Sequence, residues 1–403
     1  MLAKPIVFQL SANIINKVLG FFITAALFRI YQLEQIGEYF LILSYLGIFY
    51  SLQNFGASKA LVDFNINNDS KNEAKVLKTR LLLSFLFFPF FFYLCFITID
   101  ILHVSIVIII GLTLFTNSLS IDHILISKKK FFLLSIYQLS SQLFLFLFFA
   151  ICYLNDTQPL IAFHQIIPSS IIFILIWITI INSNLIQILK IINSKIIKLD
   201  FFIKNKVLIF SEILLPLVIA FDYFLANQFL NEEELGIISG LLRYSLLTYG
   251  FLTIINKVLF SYSSKNNNLN LFIISRDKLF LYYKFLSSII LIMFLYPYLK
   301  YVMNLDEPLN FSLPAFLICL GSFLMPYFFL ELNKIESNFK KIFFKSFVLF
   351  IILVFCIIYL ITIFISKHLI LTDGISLLSL IFVLKWIFLV IVIQYVRKKS
   401  GIR

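Results

Sequence analysis

Long, uninterrupted apolar runs recur along the whole chain, separated by short charged breaks, and this pattern restricts the fold more than any other feature. Each run is roughly 18–25 residues, the length that carries a helix across ~30 Å of hydrocarbon at ~1.5 Å per residue. Within hydrocarbon every backbone N–H and C=O needs an internal partner, so only helices and closed barrels span it. The runs are continuously apolar and do not alternate, which selects helices over a barrel. Composition agrees: 61% of the 403 residues are hydrophobic, 50 are Phe and only 13% are charged, with a mean hydropathy of +1.00. A water-soluble domain is about a quarter charged.

Reading apolar runs against charged breaks predicts twelve spans. They lie near 6–30, 37–62, 81–99, 104–126, 131–153, 159–181, 207–229, 236–260, 279–299, 311–330, 343–366 and 373–396. Only Asp100 and His103 divide the third from the fourth. The first span is read as retained, because no short apolar segment with a small-residue cleavage site precedes it. If the N-terminus is cytoplasmic, twenty-four of the 33 basic residues fall in inside segments and two, Lys300 and Lys367, fall outside. That asymmetry follows the positive-inside rule and requires an even number of spans, with both termini cytoplasmic. The net charge of +13 is then a topology signal and a contact with anionic lipid headgroups; nucleic acid is not the expected partner.

The two halves resemble each other. Glu34-Gln35-Ile36-Gly37 opens the second span and Glu233-Glu234-Leu235-Gly236 opens the eighth, 199 residues later. At the same offset Leu43 matches Leu242, Tyr45 matches Tyr244 and Tyr50 matches Tyr249. Six spans per copy is an even number, so both copies share one orientation in the membrane. The expected architecture is an all-α membrane protein of two parallel six-helix bundles. One lobe is 1–181, the other is 207–403, and a basic cytoplasmic linker at 182–206 joins them.

Two stretches carry a family resemblance. Tyr31-Gln32-Leu33-Glu34-Gln35-Ile36-Gly37-Glu38-Tyr39, followed by Asn54-Phe55-Gly56-Ala57-Ser58-Lys59-Ala60, resembles the first two helices of bacterial polysaccharide flippases. These belong to the multidrug/oligosaccharidyl-lipid/polysaccharide exporter superfamily. Phe221-Asp222-Tyr223-Phe224 followed by Glu234-Leu235-Gly236-Ile237 is similar to the start of that family's second half, although an aromatic commonly follows the glycine there. The resemblance implies a V-shaped pair of bundles in a bacterial inner membrane, working by alternating access. It implies an undecaprenyl-diphosphate-linked O-antigen or capsule unit as cargo, with polysaccharide polymerase and chain-length proteins as partners. No cofactor is implied beyond a coupling H⁺ or Na⁺.

Charged side chains inside a span cost ~2.5–3.5 kcal/mol each on insertion scales and tend to face cavities or partners. In the first span Asn13, Asn16, Lys17, Gly20 and Thr24 share one helical face; in the second Gln53, Gly56, Lys59 and Asp63 do so, beside Asn54. The seventh span holds Glu212, Pro216 and Asp222, and the eighth aligns Gly240, Arg243, Gly250 and Lys257. Lys17, Lys59, Arg243 and Lys257 form a candidate cationic cleft suited to a diphosphate, lined by Asn13, Asn16, Gln53 and Asn54. Lys59 and Lys257 lie near inner ends, where snorkelling to headgroups is the competing reading, as it is for Arg29 at an outer end. Arg243 is read either as a cavity cation or as a salt-bridge partner. Glu212 and Asp222 either pair with a base or hold a coupling ion. Lys385 is read as a lipid-facing anchor, and the scattered His and Cys residues as structural rather than metal-ligating.

The eleven glycines contain no G-x-G pair, and H-E-x-x-H and G-x-S-x-G are absent. A transporter is therefore expected and not an enzyme. A membrane glycosyltransferase or O-antigen polymerase remains an alternative, disfavoured by short outer loops. A multidrug exporter of the same superfamily is the other alternative, and would call for an acidic, aromatic cleft.

Overall fold

The structure is a computed structural model that describes residues 3–55, 70–98, 104–120, 125, 131–183, 195, 206–246, 292–338, 341–368 and 374–400. Among these residues the regular structure is helical throughout. The helices are α1 (Ala3–Ile30), α2 (Leu33–Asn54), α3 (Ser70–Thr98), α4 (Val104–Ser118), α5 (Phe131–Leu154), α6 (Phe163–Ser183) and α7 (Lys206–Phe229). They continue with α8 (232–246), then α9 (Leu295–Pro297, running into a π-helical turn at Tyr298–Val302), α10 (Ser312–Asn338), α11 (Lys341–His368) and α12 (Gly374–Ser400). Among the described residues each expected span has helix at its place, the ninth only over its end from residue 292. Ala74–Thr98, Phe132–Leu154, Glu212–Phe229, Pro308–Met325 and Gly374–Val396 are long and apolar enough to cross a membrane by themselves.

Several boundaries move, and for a physical reason. The third helix begins at Ser70, about three turns before its apolar run, so Lys71, Lys75 and Lys78 lie on helix and not in a loop. Hydropathy detects the part of a helix inside hydrocarbon; the backbone continues as long as its hydrogen bonds do. On α3 the exposed residues Leu82, Phe85, Leu86, Phe90, Tyr93 and Ile97 recur at three- and four-residue spacing, a stripe made for lipid.

The chain divides into two compact units. Unit 1 comprises Met1–Tyr31, Glu38–Ala220 and Thr253–Asn267, and unit 2 comprises Gln32–Gly37, Phe221–Leu252 and Asn268–Arg403. In unit 1, α1 packs on α5, α3 on α4, and α6 on both α4 and α5. In unit 2, α12 packs along α10 and α11. The expected linker at 182–206 lies almost wholly outside the described residues.

The internal repeat reappears in the helix starts. At α8, Asn231 and Glu234 form a reciprocal capping box: the Glu234 N–H donates to Asn231 Oδ1 at 2.8 Å and the Asn231 N–H to Glu234 Oε2 at 3.1 Å. At the repeat-equivalent start of α2, the Gln32 N–H donates to Gln35 Oε1 at 3.3 Å. The two equivalent glycines then meet. A Cβ on Gly37 would lie 2.8 Å from the Gly236 nitrogen, and one on Gly236 would fall on the Leu33 carbonyl oxygen. Only glycine lets two helix backbones approach so closely.

Candidate functional site

In unit 1 the polar stripe of α1 lies opposite its apolar one. Ile14, Ile15, Val18 and Phe22 are exposed and share one side of the helix. At about 100° per residue, Asn16, Lys17, Gly20 and Thr24 fall on roughly the other side. Asn16 and Lys17 are half-buried there, and Asn16 Oδ1 is buried without a hydrogen-bond partner among the described residues. Among the described residues nothing lies within 4 Å of a Cβ built on Gly20. Thr24 turns its hydroxyl back to the Gly20 carbonyl at 2.8 Å, leaving its methyl to the surroundings. The side chain of Asn13 lies outside the described residues, as do Lys59 and Lys257 entirely.

Gln53 does something other than line a cleft. It is fully buried, and its Nε2 donates to Ser84 Oγ at 2.5 Å and to the Leu114 carbonyl at 2.8 Å. Its Oε1 accepts from Asn117 Nδ2 at 3.1 Å. The amide is thus consumed inside the unit, cross-linking α2, α3 and α4. Asn54, the next residue, is half-buried at the end of α2. Arg80, read from sequence only as one of the inside charges, is part of the same assembly. It is 2% exposed and donates to the Asn117 carbonyl at 2.6 Å and the Ser120 carbonyl at 3.0 Å. A guanidinium there satisfies the carbonyl end of α4 and meets the negative pole of its dipole. One turn of α2 earlier, Gln165 Nε2 donates to the Tyr50 hydroxyl at 3.3 Å. The Thr113 hydroxyl donates to the Ile110 carbonyl at 2.5 Å, which leaves Tyr50 as donor in the 2.5 Å Tyr50–Thr113 bond.

Arg29 and His164 both have partners within unit 1. Arg29 is exposed and donates to the Tyr153 hydroxyl at 3.2 Å. The His164 ring bonds the Tyr39 hydroxyl at 2.5 Å. Cys95, Cys152, Cys319 and Cys356 are free thiols.

Unit 2 holds Asp222, Arg243 and Lys385. Asp222 on α7 pairs with Lys385 on α12, Nζ donating to Oδ1. Lys385 is fully buried, which corrects its reading as a lipid-facing anchor. A lysine eleven residues into its helix is too far from either interface to snorkel, and an ion pair replaces the water it would otherwise seek. Its ammonium also sits over two rings, 4.8 Å from the centroid of Phe382 and 5.1 Å from that of Trp386. Of the two roles open to Asp222, pairing with a base is the one this structure displays. Glu212 is half-buried ten residues earlier on α7, ~15 Å along the axis, so the two acids do not form one site.

Arg243, half-buried on α8, donates to the Tyr223 hydroxyl. Tyr223 passes a long bond of 3.5 Å to the Ser239 carbonyl. Tyr298, the first residue of the π-helical turn, donates to the Gly240 carbonyl at 2.8 Å and stacks on Tyr244 with centroids 4.3 Å apart. Of the two readings for Arg243, the structure shows the guanidinium with a protein partner, the Tyr223 hydroxyl. Beside Asp222 lies a cavity of about 20 Å³, enough for one water. Among the described residues no cluster of His, Cys, Asp and Glu has the composition of a metal site.

No family model matches the chain, and no curated protein matches it. The chain is similar to a solved structure described as the inward-facing conformation of a multidrug resistance MATE family transporter of the MOP superfamily. The identity is 10%, 98% of each chain is covered and the TM-score is 0.53. A likeness at that identity speaks for the fold. The fold is like that of this MATE family structure over nearly the whole chain, an all-α arrangement of helices, several of them long and apolar enough to cross a membrane.

Proposed function

We propose that this chain is a flippase that moves an undecaprenyl-diphosphate-linked O-antigen or capsule unit across a bacterial inner membrane by alternating access. The observation that carries the reading is the α1 stripe: Asn16, Lys17 and Gly20 on the side away from the exposed apolar residues, with no described residue within 4 Å of a Cβ on Gly20. A half-buried lysine and amide in mid-helix provide what an anionic headgroup must find after leaving water, a cation and polar donors. Arg243, with Lys59 and Lys257, supplies further positive charge in the proposed cleft. In the same reading both termini are cytoplasmic, the lobes are 1–181 and 207–403, and polysaccharide polymerase and chain-length proteins are its partners.

The second reading is export of organic cations, favoured by the multidrug description of the similar structure. Such a cargo needs an unneutralised acid, and Asp222 already carries the Lys385 ammonium. Glu212, half-buried on α7, is the other acid of that helix.

Reconstituted vesicles distinguish the two. With a fluorescent undecaprenyl-diphosphate glycan in the outer leaflet, the protein is expected to carry it out of reach of a membrane-impermeant quencher. Lys17→Gln should slow that transfer roughly tenfold, the value of one charge-assisted hydrogen bond. Movement of ethidium but not of the lipid-linked glycan would replace this reading with the second.

A further inference from the structure

The Asp222–Lys385 pair has the features of a complete cation site. The carboxylate comes from α7, and the rings of Phe382 and Trp386 flank the ammonium from α12 itself. Side-chain exposure is 1% for Lys385 and 9% for Asp222. Trp386 is held edge-to-face by Phe328 of α10, with centroids 6.0 Å apart. Gly321 of α10 lies directly on the Phe382 ring, where a Cβ would be 2.7 Å from its Cδ1. The cage is therefore fixed from behind by packed helix and not assembled by the lysine. The space beside the carboxylate is lined otherwise by Leu225, Ala226, Ile238, Leu242 and Ile318, among other apolar side chains, and holds about one water. A hydrated metal ion has no room there while Lys385 is in place.

We propose that this is a small-cation site whose occupant is the chain's own lysine, and that shortening Lys385 converts it into a binding site for an alkylammonium ion. A buried carboxylate needs a positive partner, and two ring faces favour an ammonium over water in that position. While the tethered ammonium is bound, Asp222 takes no Na⁺ from solution. The site belongs to unit 2 alone and does not depend on the identity of the cargo.

Lys385→Ala removes Cγ, Cδ, Cε and Nζ, the atoms of n-propylammonium, which makes that ion the probe. The measurement is the Tm of the full-length protein in lipid nanodiscs, with choline chloride replacing each salt at equal ionic strength. Lys385→Ala is expected to melt below the wild type and to regain a saturable ~2–4 °C in n-propylammonium chloride. The wild type and the Asp222→Asn/Lys385→Ala variant should not respond, and the wild type should melt alike in NaCl and choline chloride. A folded Lys385→Ala protein indifferent to n-propylammonium overturns the proposal. So does a wild type that Na⁺ stabilises and whose Asp222→Asn variant it does not. If Lys385→Ala is recovered only when the amine is present throughout purification, the proposal is supported. If it is recovered under neither condition, the wild-type comparison decides: Na⁺ indifference supports the resident lysine, and Asp222-dependent Na⁺ stabilisation refutes it.

Discussion

Residue by residue, the surroundings of each cation show what it holds in place. Lys17, Arg80, Arg243 and Lys385 look alike in a sequence, as isolated cations next to apolar neighbours, yet their surroundings differ. Arg80 spends its donors on helix-end carbonyls, Lys385 on a carboxylate and two rings, and Arg243 on a tyrosine hydroxyl. Removing one member of a buried ion pair leaves the other uncompensated, at about 3–5 kcal/mol. Lys385→Met should therefore destabilise the protein by about that amount, while Asp222→Asn/Lys385→Met recovers most of it; a double-mutant cycle of denaturation midpoints measures the coupling. That Lys385 stands inside an apolar run was legible, but the sequence reading gave it to lipid, and the structure buries it. Its partner was not legible: Asp222 is 163 residues away, and no local spacing relates them. Gln53 illustrates the same limit. Its place on a polar helical face is correct, but the face turns toward Ser84 and Asn117, and hydropathy carries no information about which neighbour a face meets.

At the level of helices, the sequence repeat has a structural counterpart in how α2 and α8 begin. Equivalent residues cap them, Gln32 with Gln35 and Asn231 with Glu234, and equivalent glycines set their closest approach. Gly236→Ala pushes a methyl group onto the Leu33 carbonyl oxygen, backbone that cannot rotate away. The start of α2 must separate from α8, and a loss of about 2 kcal/mol or more is expected as a lowered Tm in detergent. Gly47→Ala is the control. Its added Cβ would make only an ordinary 3.7 Å contact with Pro216, and within a helix alanine gains about 0.8–1 kcal/mol over glycine, so the Tm should hold or rise. The interior amide network gives a second test at this scale. Gln53→Leu leaves Asn117 Nδ2 without its acceptor, and a cost of about 1–3 kcal/mol should appear in the same melting measurement. Helix existence was readable throughout: the expected span at 131–153 is a helix at Phe131–Leu154, and that at 207–229 is one at Lys206–Phe229. Helix ends were less so, because α3 and α10 run on past the hydrocarbon into lysine-bearing turns that carry no apolar signal.

For the molecule as a whole, the charge asymmetry of the loops predicts both termini on the cytoplasmic side. Alkaline phosphatase fused after Arg403 should be inactive and a fluorescent protein there bright, whereas fusions in the connection bearing Lys300 should show the reverse. Activity of the phosphatase after Arg403 would overturn the twelve-span orientation. The sequence by itself determined that this is an all-helical membrane protein, roughly where the helices of its described residues lie, and that its halves repeat. Each of those follows from hydropathy and rise per residue, which act locally and leave their record in consecutive positions. Tertiary structure decided the rest: that Lys385 neutralises Asp222, that Arg80 closes the end of α4, that Gln53 is structural, and that the polar stripe of α1 faces away from its exposed apolar one. Those outcomes depend on the rotation of each helix about its axis and on neighbours distant in the chain. Two apolar helices pack almost as favourably at many rotations, and what selects one is the contact of a few polar groups and glycines with residues far away in sequence.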